Sequence, residues 1–498
     1  MPQTASPSSA SAPVRLSHAD IRSILIGIML AMLLAALDQT IVATALPTIG
    51  AHLGDMDDMP WVVTAYLLAA TAVTPLYGKF SDIHGRRTAL LIGIATFVVG
   101  SIACAMAPTM LVLIVARAVQ GLGGGGLISL AQTIIADVLP PKERARYQVY
   151  IAGVFMTSSL AGPVLGGFLS EHLHWSVIFW INVPLGAAAY LLAGKALRKL
   201  PINHRPHRLD VLGAVLMTVA TIALMLALSW GGVRMPWASA PVLSAFAVAL
   251  VFSVLFAVRL ARADEPLIPA ALLRNGVVCM GTAAACFGMG TFIGLSIYLP
   301  VYFEIGLGLN ASGSGLAMMP LMVSTVVGAT IAGRAITMVA RYKRIPVAGL
   351  VIAVAATAVL ATFATTMPVW LVGVTTGVIG LGLGTVLPVT TIAVQNAVEP
   401  HQLGTATGLM NFFRQLGGAI IVAAFGAIVL ADSGRAALGG TEGVSAASLT
   451  PRELLSVFPH VFAAAALGFA CSLLFLLLMK EMPMRGSSRR EAQAAFAD

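Results

Sequence analysis

The sequence predicts an all-α polytopic membrane protein with 14 transmembrane helices, arranged as two six-helix pseudo-symmetric bundles plus two inserted linker helices. Three observations carry this reading. Of 498 residues, 58% are hydrophobic and only 10% are charged, against about 25% charged in soluble globular chains. Mean hydropathy is +0.92. Apolar runs of about 20 residues, enough to cross a hydrocarbon core, recur from end to end, with basic residues gathered in alternate gaps. Such a chain leaves no room for a large soluble catalytic domain. Its formal charge of +9 is too sparse to coat nucleic acid while most of the chain lies in lipid.

Residues 1–20 are rich in Pro, Ser and Ala, cannot bury enough apolar surface to fold alone, and read as a disordered cytoplasmic tail. The first apolar run far exceeds a signal-peptide h-region, so it is expected to be retained as a span. Residues 21–200 form the first bundle, with runs near 21–46, 61–80, 87–107, 109–136, 147–170 and 176–197. Residues 201–275 hold the inserted pair, near 211–230 and 238–259. The second bundle, 276–484, has runs near 277–302, 313–333, 345–366, 369–393, 404–431 and 457–479, and 485–498 form a second cytoplasmic tail.

An even number of spans puts both termini on one side. With that side inside, 24 of the 29 Lys and Arg residues are cytoplasmic, against Arg234, Arg435 and Arg452 outside and Arg117 and Arg414 within spans. By the positive-inside rule both termini are cytoplasmic and the chain is a multi-pass protein of the cell's inner or plasma membrane. The halves also echo one another. Gly78, Lys79 and Arg86 recur as Gly333, Arg334 and Arg341 at an offset of 255, while Gly121-Leu122-Gly123 and Pro141 recur as Gly380-Leu381-Gly382 and Pro400 at 259. Internal repeats of this kind build many transporters.

A carboxylate inside lipid-spanning sequence is a functional hypothesis by default. Asp38, in LDQTIVATALP, is the one that qualifies cleanly. Burial disfavours the charged form, so a reversible proton site is the natural reading; the alternative is a hydrogen bond that fixes helix packing. Arg117, in LIVARAVQGLGGGG, is the nearest thing to its counter-ion, or else a static polar anchor. Arg414, in NFFRQLGG, is a second buried cation, for substrate contact or packing. Gly153, Gly162, Pro163, Gly166 and Gly167 lie on the fifth span, where Gly and Pro allow a hinge or tight gate, or simply a packing seam. Asp82 sits among Lys79, Arg86 and Arg87 at a helix boundary, where an ion-pair cluster can hold one conformation closed. Glu304, after IYLPVYF, is a second protonatable group or a solvated loop carboxylate.

Other chemistry is disfavoured. Gly121 to Gly126 fit G-x-G-x-x-G, but no strand precedes them, and small residues on a membrane helix serve close packing. Cys104, Cys279, Cys286 and Cys471 lack metal-ligand spacing and are expected as free buried thiols. The 9 His residues do not gather within the spans, and no loop could house a signalling domain, which argues against an enzyme or a sensor.

Taken together, these motifs resemble the major facilitator superfamily, in its fourteen-span drug:proton antiporter family. GKFSDIHGRR resembles the signature after the second helix, LDQTIVATALP the first-helix motif, RAVQGLGGG the fourth-helix basic motif, GVFMTSSLAGPVLGG the antiporter motif and FWINVPLG the sixth-helix motif. The resemblance implies alternating access between two bundles around a central cavity, driven by inward proton flow and needing no other cofactor. It assigns proton coupling to Asp38 and Arg117, gating to Gly78, Asp82, Gly85, Arg86 and Arg87, and the antiporter hinge to Gly153, Gly162 and Pro163. Three departures stand out: Ser176 and Val177 replace a common Arg and second Trp, Glu304 replaces a common Gln, and the tenth span carries no acid. Monocationic, neutral or zwitterionic amphiphiles are therefore the expected substrates, exchanged for protons. A dedicated exporter or importer of one metabolite is the alternative, and the motifs do not say whether a periplasmic adaptor takes part.

Overall fold

With no water in a bilayer core, backbone groups must pair within the chain, and the chain answers with helices. The computed structural model describes residues 17–54, 58–199, 209–232, 234–339, 341–431 and 451–483. Most of the first tail (1–16), the second tail (485–498), and Arg15, Arg205, Arg208 and Arg435 lie outside the described residues. Fourteen helices are long and apolar enough to cross a membrane. The first bundle comprises α1 (His18–Leu53), α2 (Met59–His84), α3 (Arg86–Ala105), α4 (Met110–Val138), α5 (Pro141–His172) and α6 (Val177–Ala196). The inserted pair is α7 (Val211–Trp230) and α8 (Ala240–Arg262). The second bundle comprises α9 (Gly276–Gly306), α10 (Ala311–Met338), α11 (Arg344–Phe363), α12 (Val369–Asn396), α13 (Leu403–Ala431) and α14 (Pro451–Leu478).

Packing repeats between the halves. In the first bundle α4 lies against α2 and α3, α5 against α1, and α6 against α1 and α3; in the second, α12 lies against α10 and α11, α13 against α9, and α14 against α9 and α11. The bundles meet through α2 on α13 and α5 on α10, which are again equivalent pairs. Glycines set the spacing at matching positions. A Cβ on Gly125 would strike the Ala70 backbone, and one on Gly384 the Thr325 backbone. Likewise Gly123 abuts the backbone of Phe97 and Gly93, and Gly382 that of Gly349. The GLGGGG string is thus a packing seam on α4, and its echo does the same work on α12. Between helices in lipid, such van der Waals fit replaces the hydrophobic drive available in water.

The inserted helices stand outside this plan. α7 packs on α2 and α13, while α8 packs on α7 and buries only Val242 and Ala249 along its length. Asp210 holds the pair at its base, accepting from Gly213 N–H at 3.0 Å and from Arg259 Nε at 3.1 Å. Trp61 and Trp230 meet edge-to-face, 6.1 Å between centroids, at the other end of α2 and α7.

The structure departs from the sequence expectation at several edges. α1 begins inside the expected tail because Ser17 and Asp20 form a reciprocal capping box. α5 starts at Pro141, well before the apolar run at 147, since Pro is well suited to a first helical turn. α12 is two helices, Val369–Gly384 and Val386–Asn396, joined at Thr385. α9 ends in a π turn, Tyr302–Gly306.

Glycines in seams and glycines facing open space should respond oppositely to alanine. Gly125→Ala forces α2 and α4 apart and is expected to cost about 1–3 kcal/mol. Gly153 has no neighbour within 4 Å of a built Cβ, so Gly153→Ala is expected to stabilise by about 0.5–1 kcal/mol through helix propensity. Thermal midpoints of the two purified variants in one detergent check the sign of each.

Candidate functional site

Asp38 lies well inside α1 and only 1% of it is exposed. Its carboxylate needs donors, and two helices supply three of them. Arg117 Nη1 on α4 donates to Oδ2 at 2.6 Å, while Gln120 Nε2 on α4 and Asn182 Nδ2 on α6 donate to Oδ1 at 2.8 and 2.9 Å. Ser101 Oγ on α3 accepts from Gln120 at 2.7 Å and from Asn182 at 3.3 Å. Arg117, itself 1% exposed, also donates through Nε to the Val62 carbonyl of α2 at 3.0 Å and through Nη1 to Gln120 Oε1 at 2.5 Å. Its Cζ stands 4.4 Å from the Tyr66 ring centroid, a cation–π contact in a dry setting. Five helices therefore converge on one ion pair. The sequence located both charges but missed Gln120, Ser101, Asn182 and Tyr66; Gln120 could have been found, since it lies three residues from Arg117 on the same helical face.

The charged cluster after α2 is the second constellation. Gly85 ends α2 at φ +89°, a conformation suited to glycine, and its N–H reaches Ser81 O at 3.1 Å. That turn lets Arg86 fold back onto Asp82, with Ser81 Oγ at 2.7 Å and Asp137 Oδ2 of α4 at 2.7 Å. Asp82 in turn accepts from the Gly404 N–H at 3.0 Å, the Thr405 N–H at 2.7 Å and Thr405 Oγ1 at 2.6 Å. These are donors at the start of α13, where the helix dipole favours a carboxylate. Gly78 lies against the Gly404 backbone, so this end is shut by direct contact between bundles. Arg87 points elsewhere, donating to Gly194 O of α6 at 2.9 Å. Asp137, Gly404 and Thr405 were not singled out by the sequence.

A cleft of about 340 Å³ opens at the same end, between the α4–α5 and α12–α13 connections, lined by Asp137, Pro141, Arg144, Gln395 and Asn396. Deeper between the bundles the contacts are polar and uncharged. Thr71 donates to Gln415 at 2.8 Å, and Asn411 to Gln132 at 2.8 Å. Arg414 is buried beside them, with Thr391 Oγ1 at 2.8 Å and Asn411 Oδ1 at 3.4 Å.

The α5 glycines divide. Gly162 and Gly166 lie against Thr40, and against Thr44 and Ile41, of α1, as a packing seam requires. Gly153 and Gly167 face nothing within 4 Å of a built Cβ, and Pro163 is exposed. Glu304 is exposed on the π turn of α9 rather than on a loop, and it does not join the Asp38 constellation. Among the described residues no three His, Cys, Asp or Glu side chains gather as a metal site. All four cysteines are free; Cys104 alone is fully buried, while the other three are partly buried.

Removing one member of the buried pair should harm the protein more than removing both. Asp38→Leu leaves the Arg117 guanidinium uncompensated and is expected to cost about 3–5 kcal/mol, whereas Asp38→Leu with Arg117→Met should recover most of it. Thermal unfolding in detergent checks this; equal losses in the single and double variants would show that the two charges do not depend on each other.

Residues 28–422 match the Major Facilitator Superfamily. The chain is 33% identical over 414 residues to the "Multidrug transporter protein MdtP" of Bacillus subtilis (strain 168), covering 83% of this chain and 76% of that one. It is also 33% identical over 405 residues to the "Efflux pump dotC" of Dothistroma septosporum, covering 80% and 69%. In fold it is similar to the human organic anion transporter MFSD10 (TM-score 0.64, 18% identity, 92% of this chain and 99% of that one). The proton:xylose symporter XylE is similar too (TM-score 0.61, 14% identity, 96% and 99%). With 14 spans and the first-half motifs in place, the chain belongs to the major facilitator superfamily, in its fourteen-span drug:proton antiporter family.

Proposed function

We propose that the chain is a proton-coupled secondary active transporter that exports amphiphilic drugs or toxic compounds by alternating access. One observation carries the reading: an acid and a cation, Asp38 and Arg117, buried together at 1% exposure inside a membrane bundle. Relatives named as a multidrug transporter and an efflux pump support the substrate class.

The end bearing the basic loops is taken as cytoplasmic. With that end shut by Asp82 on α13, Asp38 accepts three N–H donors as a carboxylate. Protonation from the other side removes the charge that holds Arg117, so the α1–α4 contact weakens and substrate is released outward. The bundles then rock, which must break the Asp82 bonds to Gly404 and Thr405 and part Gly78 from Gly404. Inside, the proton leaves, Arg117 recaptures Asp38, and a new substrate enters from the cytoplasm. Gly153 and Gly167, which no packing contact demands, supply the freedom of α5 during this rocking. Each elementary charge moved is worth about 2.3 kcal/mol per 100 mV, so one proton exchanged for one neutral substrate draws on the potential as well as the pH gradient. The proton gradient is the energy source and no cofactor enters the cycle.

The test is substrate-induced proton movement in proteoliposomes, with dyes, biocides and antibiotics added in turn. Several unrelated compounds should each drive proton release from the lumen, and Asp38→Asn should reduce it at least about 100-fold, the lower range for loss of a positioned proton-transfer group. A response to a single compound would identify a dedicated exporter instead, and undiminished coupling in Asp38→Asn would refute the proton site.

A further inference from the structure

Two of the buried arginines, Arg117 and Arg414, are not alike. Arg117 has a carboxylate partner at 2.6 Å. Arg414, near the middle of α13 and 7% exposed, has only the neutral oxygens of Thr391 and Asn411, and its Nε–H has no partner. A guanidinium stays protonated in proteins and offers five donors, so at least part of its hydrogen-bonding capacity and its whole charge are unanswered. Among the described residues no acid pairs with it. From residue 266 to 431 the only acids are Glu304 and Glu399. Glu304 is exposed at the far end of α9, and Glu399 sits at the basic end beside His401, at 3.1 Å. Asp38 belongs to Arg117, and Asp82 and Asp137 to Arg86. An unneutralised charge at membrane depth is expensive and marks substrate or ion pathways.

Its position says which pathway. Asn411 and Gln415, three residues before and one after Arg414, are the α13 side chains that bridge to Gln132 and Thr71 of the first bundle. Arg414 therefore lies at the seam that alternating access must open. We infer that Arg414 is an anion-binding subsite of the transport pathway, which takes the carboxylate or sulfonate of an amphiphilic substrate when the bundles part. A planar carboxylate matches the guanidinium fork and can accept two N–H bonds at once. This narrows the proposed substrates to amphiphiles that carry a negative group, zwitterions included, and it rests on the transporter reading above.

The experiment is equilibrium binding of radiolabelled 1-naphthoate to the purified full chain by scintillation proximity, with unlabelled 1-naphthoate and its neutral analogue 1-naphthamide as competitors. Naphthoate should displace the label at a concentration at least about 10-fold lower than naphthamide, the lower end expected for charge-assisted over neutral pairing. Arg414→Gln should abolish that preference, and Arg414→Lys should keep part of it, because the charge survives without the fork. Should the Gln variant fail to fold, the ratio for the wild type and the Lys variant decides alone. No saturable naphthoate binding to the folded wild type, equal potency of the two competitors, or an unchanged ratio in Arg414→Gln would each overturn the site. Naphthoate binding without proton movement for any compound would refute coupled export and leave the subsite standing.

Discussion

A carboxylate and a guanidinium sealed from water can coexist only as a pair, and the first bundle is built around that necessity. Desolvating either ion costs several kcal/mol, repaid only by good geometry and further hydrogen bonds. Those bonds come from Gln120, Asn182, Ser101 and the Val62 carbonyl, so α1, α2, α3, α4 and α6 are all committed to one point. Any event that changes the charge of Asp38 is consequently felt by every helix of the bundle except α5. That helix is joined to α1 differently, through glycine contacts and the bond from Thr40 to the Ser158 carbonyl at 2.8 Å.

The second bundle copies the scaffold but not the chemistry. Gly121, Gly123 and Gly125 find counterparts in Gly380, Gly382 and Gly384, and the same helix pairs approach at the same points. Carried forward by the same offset, Arg117 falls on Thr376, a buried residue that does no more than donate to the Gly373 carbonyl at 2.9 Å. The repeat fixes how backbones fit, whereas charge is distributed unevenly over it. One bundle holds a neutralised ion pair and the other a lone cation, which gives the two halves distinct electrostatic roles within a common frame.

Much of this was legible in the sequence, for physical reasons that also explain what was not. Spans are legible because twenty apolar residues cannot be left in water, and all fourteen fall where the hydropathy puts them. Their ends shift where local chemistry outruns hydropathy, as when Ser17 and Asp20 start α1 among polar residues. Asp38 and Arg117 stand out because a charge in an apolar run is costly and therefore conspicuous. Neutral partners give no such signal: Asn182 and Ser101 look like many other polar residues in helices. The partners of Asp82 were hidden for a different reason, since Thr405 lies 323 residues away and only the fold brings it near.

The same fold makes α13 one of the elements through which the two halves sense each other. Gly404, Gly408, Asn411 and Gln415 recur every three or four residues, so they share one face, and that face meets α2 and α4. Asp82 grips its first turn, while Thr71 and Gln132 bond to side chains two to three turns deeper. A helix transmits displacement along its axis because its backbone bonds are satisfied internally. Lifting the start of α13 from Asp82 therefore cannot leave the deeper bonds untouched, and Arg414, between Asn411 and Gln415, moves with them. Contact at the basic end and the polarity of the midplane are in this way two readings of one rigid body's position.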